Sequence, residues 1–104
     1  MTHIRWTRGA YEDLVTISDY IARRDPGNAS RFVAKLMDRV LVLREQPLCG
    51  RVLPEFSDEA TRELIHGNYR LVYRLVGDEA HILTVFEGHR LFGTGMLDSS
   101  EPGD

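Results

Sequence analysis

Four histidines, His3, His66, His81 and His89, and one cysteine, Cys49, are the first residues to test for chemistry. Their spacing matches no zinc set, because such sites draw Cys and His in short paired runs. Neither a metal nor another cofactor is expected. A single cysteine excludes a disulfide within the chain, which fits a reducing compartment. Gly93-x-Gly95 is too short for a phosphate loop and reads as a turn. What remains is arginine. Twelve of the thirteen basic residues are Arg, Lys35 being the exception. Guanidinium suits two-pronged contacts with carboxylate or phosphate, although a GC-rich coding sequence explains the excess at least as well. His89 beside Arg90 would supply an acid and a cationic clamp, with His66 and Glu87 as further proton carriers. The plainer reading is preferred: His89-Arg90 is a solvated strand end, and Arg70 and Arg74 pair with Glu63 or Glu87 across neighbouring strands.

Net charge argues the same way. It is −3 overall, which disfavours a polyanion. The charge is uneven, with nine basic and six acidic residues in 1–51 against four basic and ten acidic in 52–104. No direct sequence-specific contact with nucleic acid is expected. No apolar stretch approaches the roughly 18 residues that span a membrane, and the first residues lack the apolar centre of a signal peptide. A cytoplasmic location is the expectation.

Elements must position these side chains. The chain has 104 residues, of which 42% are hydrophobic and 28% charged, enough for one core. The expected organisation is one domain over 1–98 and a frayed polar tail over 99–104. His3 to Trp6 alternates and reads as a strand. Thr7 caps a helix whose stripe is Ala10, Leu14, Ile17 and Ile21, with Glu12 and Asp13 near its positive end and Arg23-Arg24 in its last turn. Asp25-Pro26 opens a second, longer helix lined by Ala29, Phe32, Val33, Leu36, Val40 and Leu43. The two form an antiparallel hairpin. Residues 47–61 read as a long loop, of the kind that is functional or clamped by neighbours. Arg62 to His66 is a strand. Tyr69 to Val76 is another, with Leu71, Tyr73 and Leu75 on one face and Arg70, Val72 and Arg74 on the other. Gly77-Asp78 turns into a last strand from His81 to Glu87. The fold class is α+β: β-α-α-β-β-β, with the α-hairpin on one face of a small, mainly antiparallel sheet.

With those elements placed, four segments carry a resemblance over about residues 4–92. They are Trp6-Thr7 with Ala10, Asp13-Leu14, Ile17 and Tyr20-Ile21; Pro47-x-x-Gly50-Arg51 with Pro54-Glu55; Arg62-Glu63-Leu64 leading to Tyr69-Arg70-Leu71-Val72-Tyr73-Arg74; and Ile82-Leu83-x-Val85-x-x-Gly88-His89-Arg90. In this order and spacing the chain resembles the ParE/RelE toxin superfamily, and the second and third segments look more like ParE. The resemblance implies a toxin of a type II toxin–antitoxin pair that poisons DNA gyrase and is neutralised by a ParD-like antitoxin. Two toxins on an antitoxin dimer is the simplest assembly. The alternatives are a RelE-like ribosome-dependent endoribonuclease and an inactive toxin-derived co-repressor.

RelE-like enzymes carry lysines on the strand that here reads Arg62-Glu63-Leu64-Ile65-His66, and a tyrosine near the position of Met96. Arg70 and Arg90 match family arginines; the proton-transfer groups have no match. No catalytic residue is therefore expected; were the chain a nuclease, Arg70, His89 and Arg90 would be its set. Target binding is assigned to Arg70, Arg74, Glu87, His89, Arg90 and Phe92. The helices carry more apolar residues than one sheet face covers. Tyr11, Val15, Tyr20 and Met37, with Leu91, Phe92, Met96 and Leu97, are the candidates for an antitoxin groove, while Val42 flanks the second helix.

Overall fold

The computed structural model describes residues 1–88. The sheet is built from five strands, β1 (His3–Trp6), β2 (Arg51–Val52), β3 (Thr61–His66), β4 (Tyr69–Val76) and β5 (Glu79–Glu87), in the order β1-β5-β4-β3-β2. β1 runs parallel to β5, and the other pairs are antiparallel. Helices α1 (Arg8–Ala22) and α2 (Pro26–Arg39) lie between β1 and β2 in the chain and pack on one face. The expected order gains a short strand: Arg51–Val52 pairs with β3 inside what the sequence offers as a loop.

Local chemistry starts and stops the elements. The Thr7 hydroxyl accepts from the Ala10 N–H at 3.2 Å, and the Asp25 carboxylate accepts from the Asn28 N–H at 3.3 Å, with Pro26 in the first turn. The first turn of α1 holds no acid and its last turn no base. Helix-dipole roles for Asp13 and Arg23-Arg24 are therefore not what the fold uses. Asp13 reaches β5 instead, where its Oδ2 accepts from the Thr84 hydroxyl at 2.7 Å and the Val85 N–H at 3.0 Å. β1 stops opposite Ile82. Beyond that point Thr7 and Asp13 satisfy the exposed edge of β5, which would otherwise invite another strand. The expected long helix is also shortened. After Arg39 the backbone tightens into a 3-10 turn, Val40–Arg44.

Both tight hairpins place a glycine at positive φ, Gly67 at 59° and Gly77 at 60°, the first central position that a two-residue turn of this kind requires. The main core joins Ala10 and Leu14 of α1, Leu36 of α2, Val40 and Leu43, and Leu71, Tyr73, Ile82 and Val85 of the sheet. Shaving any one large aliphatic here to alanine costs about 2–5 kcal/mol. A second, smaller cluster, Leu53, Val72 and Phe86, sits apart from it, so the Arg70-Val72-Arg74 face of β4 is not simply solvated.

The 47–61 segment is clamped rather than loose. The Tyr73 hydroxyl donates to the Pro47 carbonyl at 2.8 Å and accepts from the Gly50 N–H at 3.0 Å. The Arg62 guanidinium donates to the Leu48 and Gly50 carbonyls. Gly50 has no room for a side chain, since a Cβ there would meet the Tyr73 ring at 2.6 Å and the Glu63 carbonyl at 2.8 Å. Among the described residues no helix is long and apolar enough to cross a membrane.

Candidate functional site

Two surfaces stand out, and each holds one of the sequence-predicted site residues, Arg70 in the first and Met37 in the second. The first is a charged cleft at the β3–β4 end of the sheet. Glu63 is its centre. It precedes Leu64 on a strand whose neighbours are Arg51 of β2 and Val72 of β4. Alternation would leave such a carboxylate half-solvated, yet its side chain is only 1% exposed. Oε2 accepts from Arg51 Nε at 2.9 Å and Nη2 at 2.5 Å. Oε1 accepts from Arg70 Nε and Nη2, both at 2.6 Å. Two forked guanidiniums on one carboxylate are strong, directional contacts. Arg70 is 13% exposed, while Arg51 is 64% exposed and forms the rim. The Arg70 guanidinium lies 5.6 Å from the centre of the Phe86 ring. The cleft holds about 380 Å³, with Gly67, Asn68 and Gly88 completing its wall.

The other target-binding candidates disperse. Arg74 does not pair with Glu63 or Glu87. It bonds Asp58 at 2.5 Å and the Thr61 hydroxyl at 3.0 Å. Asp58 is held below the ordinary carboxylate range, first by the Ala60 backbone N–H and then by Arg74. Glu87 ends β5 opposite Tyr69. The Tyr69 hydroxyl is pushed up by burial, then by the charge of Glu87 and by Tyr20. His66 packs edge-on against Phe32. His81 contacts Glu79 at 2.8 Å, and this contact is the main reason that the Glu79 pKa is lowered. No group of three or more His, Cys, Asp or Glu side chains among the described residues is placed to hold a metal. The candidates His89, Arg90, Leu91, Phe92, Met96 and Leu97, and the expected tail over 99–104, lie outside the described residues.

The second surface is an apolar groove of about 690 Å³ between β1 and the end of α2. Ile4, Trp6, Ala34, Met37, Val40 and Leu41 line it, with Met1 at its mouth. Met37 is 40% and Leu41 45% exposed, large side chains left in water at the edge strand of the sheet. Of the helix candidates only Met37 belongs here. Tyr11 and Val15 are exposed on one flank of α1. At about 100° per residue, Tyr20 lies roughly half a turn away from Tyr11. It carries the Arg24 guanidinium over its ring at 5.0 Å and sits by Tyr69. The three do not form one groove with Met37. Val42 packs on the core. Leu41 was missed, although it stands four residues after Met37, a spacing that shares one helix face.

A family model described as the ParE toxin of the parDE type II toxin–antitoxin system matches residues 4–92. A curated Sinorhizobium fredii protein named "Putative toxin Y4kP" is 38% identical over 89 residues, 84% of this chain and 88% of that protein. A solved structure of the chromosomal ParDE system from P. aeruginosa superposes with a TM-score of 0.72 at 26% identity, covering 84% of this chain and 96% of that one. The RelBE2 toxin–antitoxin complex from Mycobacterium tuberculosis gives 0.62 at 26% identity, covering 83% and 96%.

Proposed function

Because the chain belongs to the ParE family of type II toxin–antitoxin toxins, we propose that it poisons DNA gyrase and is neutralised by a ParD-like antitoxin. One observation carries the choice of gyrase over RNA. Glu63 stands on the strand where RelE-like enzymes carry lysines, and it engages both Arg51 and Arg70. A buried carboxylate at the centre of the cleft repels the phosphate that a nuclease must hold, and it occupies the guanidiniums that would bind one. Toxicity then comes from binding, for which Arg70, Arg74, Glu87, His89, Arg90 and Phe92 remain the proposed contacts.

Neutralisation is assigned to the apolar groove. An amphipathic antitoxin helix would lay its apolar side on Met37, Leu41 and Trp6. An extended segment would add along β1, which ends the sheet on that side. Two toxins on one antitoxin dimer is the proposed assembly. Induced expression in cells tests the target. A DNA-damage response without ribosome-dependent message cutting is expected. Codon-position-specific cuts by primer extension, abolished in Arg90→Ala, would replace this reading with the ribonuclease.

A further inference from the structure

The charged cleft contains a feature that gyrase poisoning does not require. Arg51 and Arg70 aim four N–H donors at one small volume. That is the donor array a tetrahedral oxyanion takes from paired arginines. The Arg70 half of the array has supports besides Glu63, whereas Arg51 is held by Glu63. Arg70 is set by its surroundings: Phe86 lies beside the guanidinium, and Gly88 packs so tightly on the aliphatic stem that a Cβ there would come within 2.9 Å of Cγ and Cδ. Asn68 and the Gly67 turn wall the open side. Among the described residues that line the cleft, two cations meet one anion, with Arg51 at the rim.

We propose that Glu63 is a built-in occupant of a phosphate-class anion site, a specificity-determining residue that keeps free phosphates out of the cleft. The carboxylate supplies the charge and the acceptors that a phosphate would bring, from inside the chain and at no cost in association entropy. Glu63→Gln keeps the volume and removes the charge. The Arg70 guanidinium then loses the Glu63 charge, and an anion from solution that binds only the folded protein stabilises it by mass action. The proposal gives the gyrase reading a structural cause, and it is testable apart from that reading.

The experiment is thermal unfolding of the purified full chain in inorganic phosphate against chloride of equal ionic strength. Phosphate is expected to raise the midpoint of Glu63→Gln by roughly 5 °C more than that of the wild type. Glu63→Gln combined with Arg70→Met removes both buried charges, so this variant is expected to fold and to lose the extra rise. Equal rises in the wild type and Glu63→Gln, or an extra rise that persists in the double variant, would overturn the proposal. Should Glu63→Gln be unfolded in chloride, phosphate must restore its far-ultraviolet circular dichroism, and failure to do so overturns the proposal equally. Message cutting by the wild type would sink the gyrase reading alone and leave this comparison intact.

Discussion

At the β3–β4 end of the sheet, charged groups answer one another: Glu63 holds Arg51 and Arg70, and Asp58 holds Arg74. Between β1 and the end of α2, Met37 and Leu41 are left partly in water. The first region is complete within the chain. The second loses free energy at every apolar side chain it leaves hydrated, about 25 cal/mol per Å². The proposed antitoxin docking would use this division: the polar cleft is already satisfied, and the groove would gain stability when another chain covers it.

Breaking the self-contained region is expected to give the largest change. Glu63→Ala leaves two guanidiniums facing each other, one of them nearly buried, and should cost on the order of 3 kcal/mol in denaturant unfolding. Breaking the groove should cost no stability and much affinity. Leu41→Asp or Met37→Asp is expected to weaken binding of the antitoxin C-terminal peptide about 30- to 100-fold by calorimetry, with the unfolding midpoint unchanged. The peptide should bind the wild type with a negative heat-capacity change. If either variant binds as the wild type does, the groove is not the docking face.

How much of this contrast was legible in the sequence differs between the two regions. Caps and turns were readable, because Thr7, Asp25-Pro26 and the glycines at 67 and 77 act through local backbone chemistry. The short β2 was not. Its two residues sit among prolines and glycines, and they are drawn into the sheet by Tyr73 and Arg62, which follow later in the chain. Glu63 read as a cross-strand partner for Arg70, which it is, but nothing local revealed its burial between two arginines. The antitoxin candidates on the helices do not share one surface, since an apolar residue count does not say which flank faces an open edge. The switch to a 3-10 turn after Arg39 changes the angular step just where Leu41 enters the groove.

A smaller effect sharpens the comparison inside the self-contained region. Tyr73→Phe leaves the Gly50 N–H and a Pro47 carbonyl without their partner and is expected to cost about 1–3 kcal/mol. The buried hydroxyl titrates above its ordinary value because of burial. The folded state therefore keeps this proton longer than the unfolded chain. Its contribution is whole below about pH 10 and is lost as pH rises through the raised value. Tyr73→Phe should flatten that alkaline limb in pH-dependent unfolding, and an unchanged limb would assign it to another group.

The smallest change is expected at Asp58→Asn, on the exposed Arg74 pair. The carboxylate titrates below its ordinary value in the folded protein, so its contribution is present above the unfolded pKa and is lost as pH falls through the lowered one. The variant should be slightly less stable than the wild type at neutral pH, and the gap should close on acidification. A loss at neutral pH as large as that of Tyr73→Phe would mean that this pair is structural after all.

Hydrogen exchange on the chain with and without its antitoxin tests the division most directly. Two stretches are expected to gain protection on binding, His3–Trp6 along the edge strand and residues 34–44 along the groove, while Arg51 and residues 63–70 exchange as in the free chain. Protection concentrated at Arg51 and residues 63–70, with residues 3–6 and 34–44 unchanged, would contradict the account.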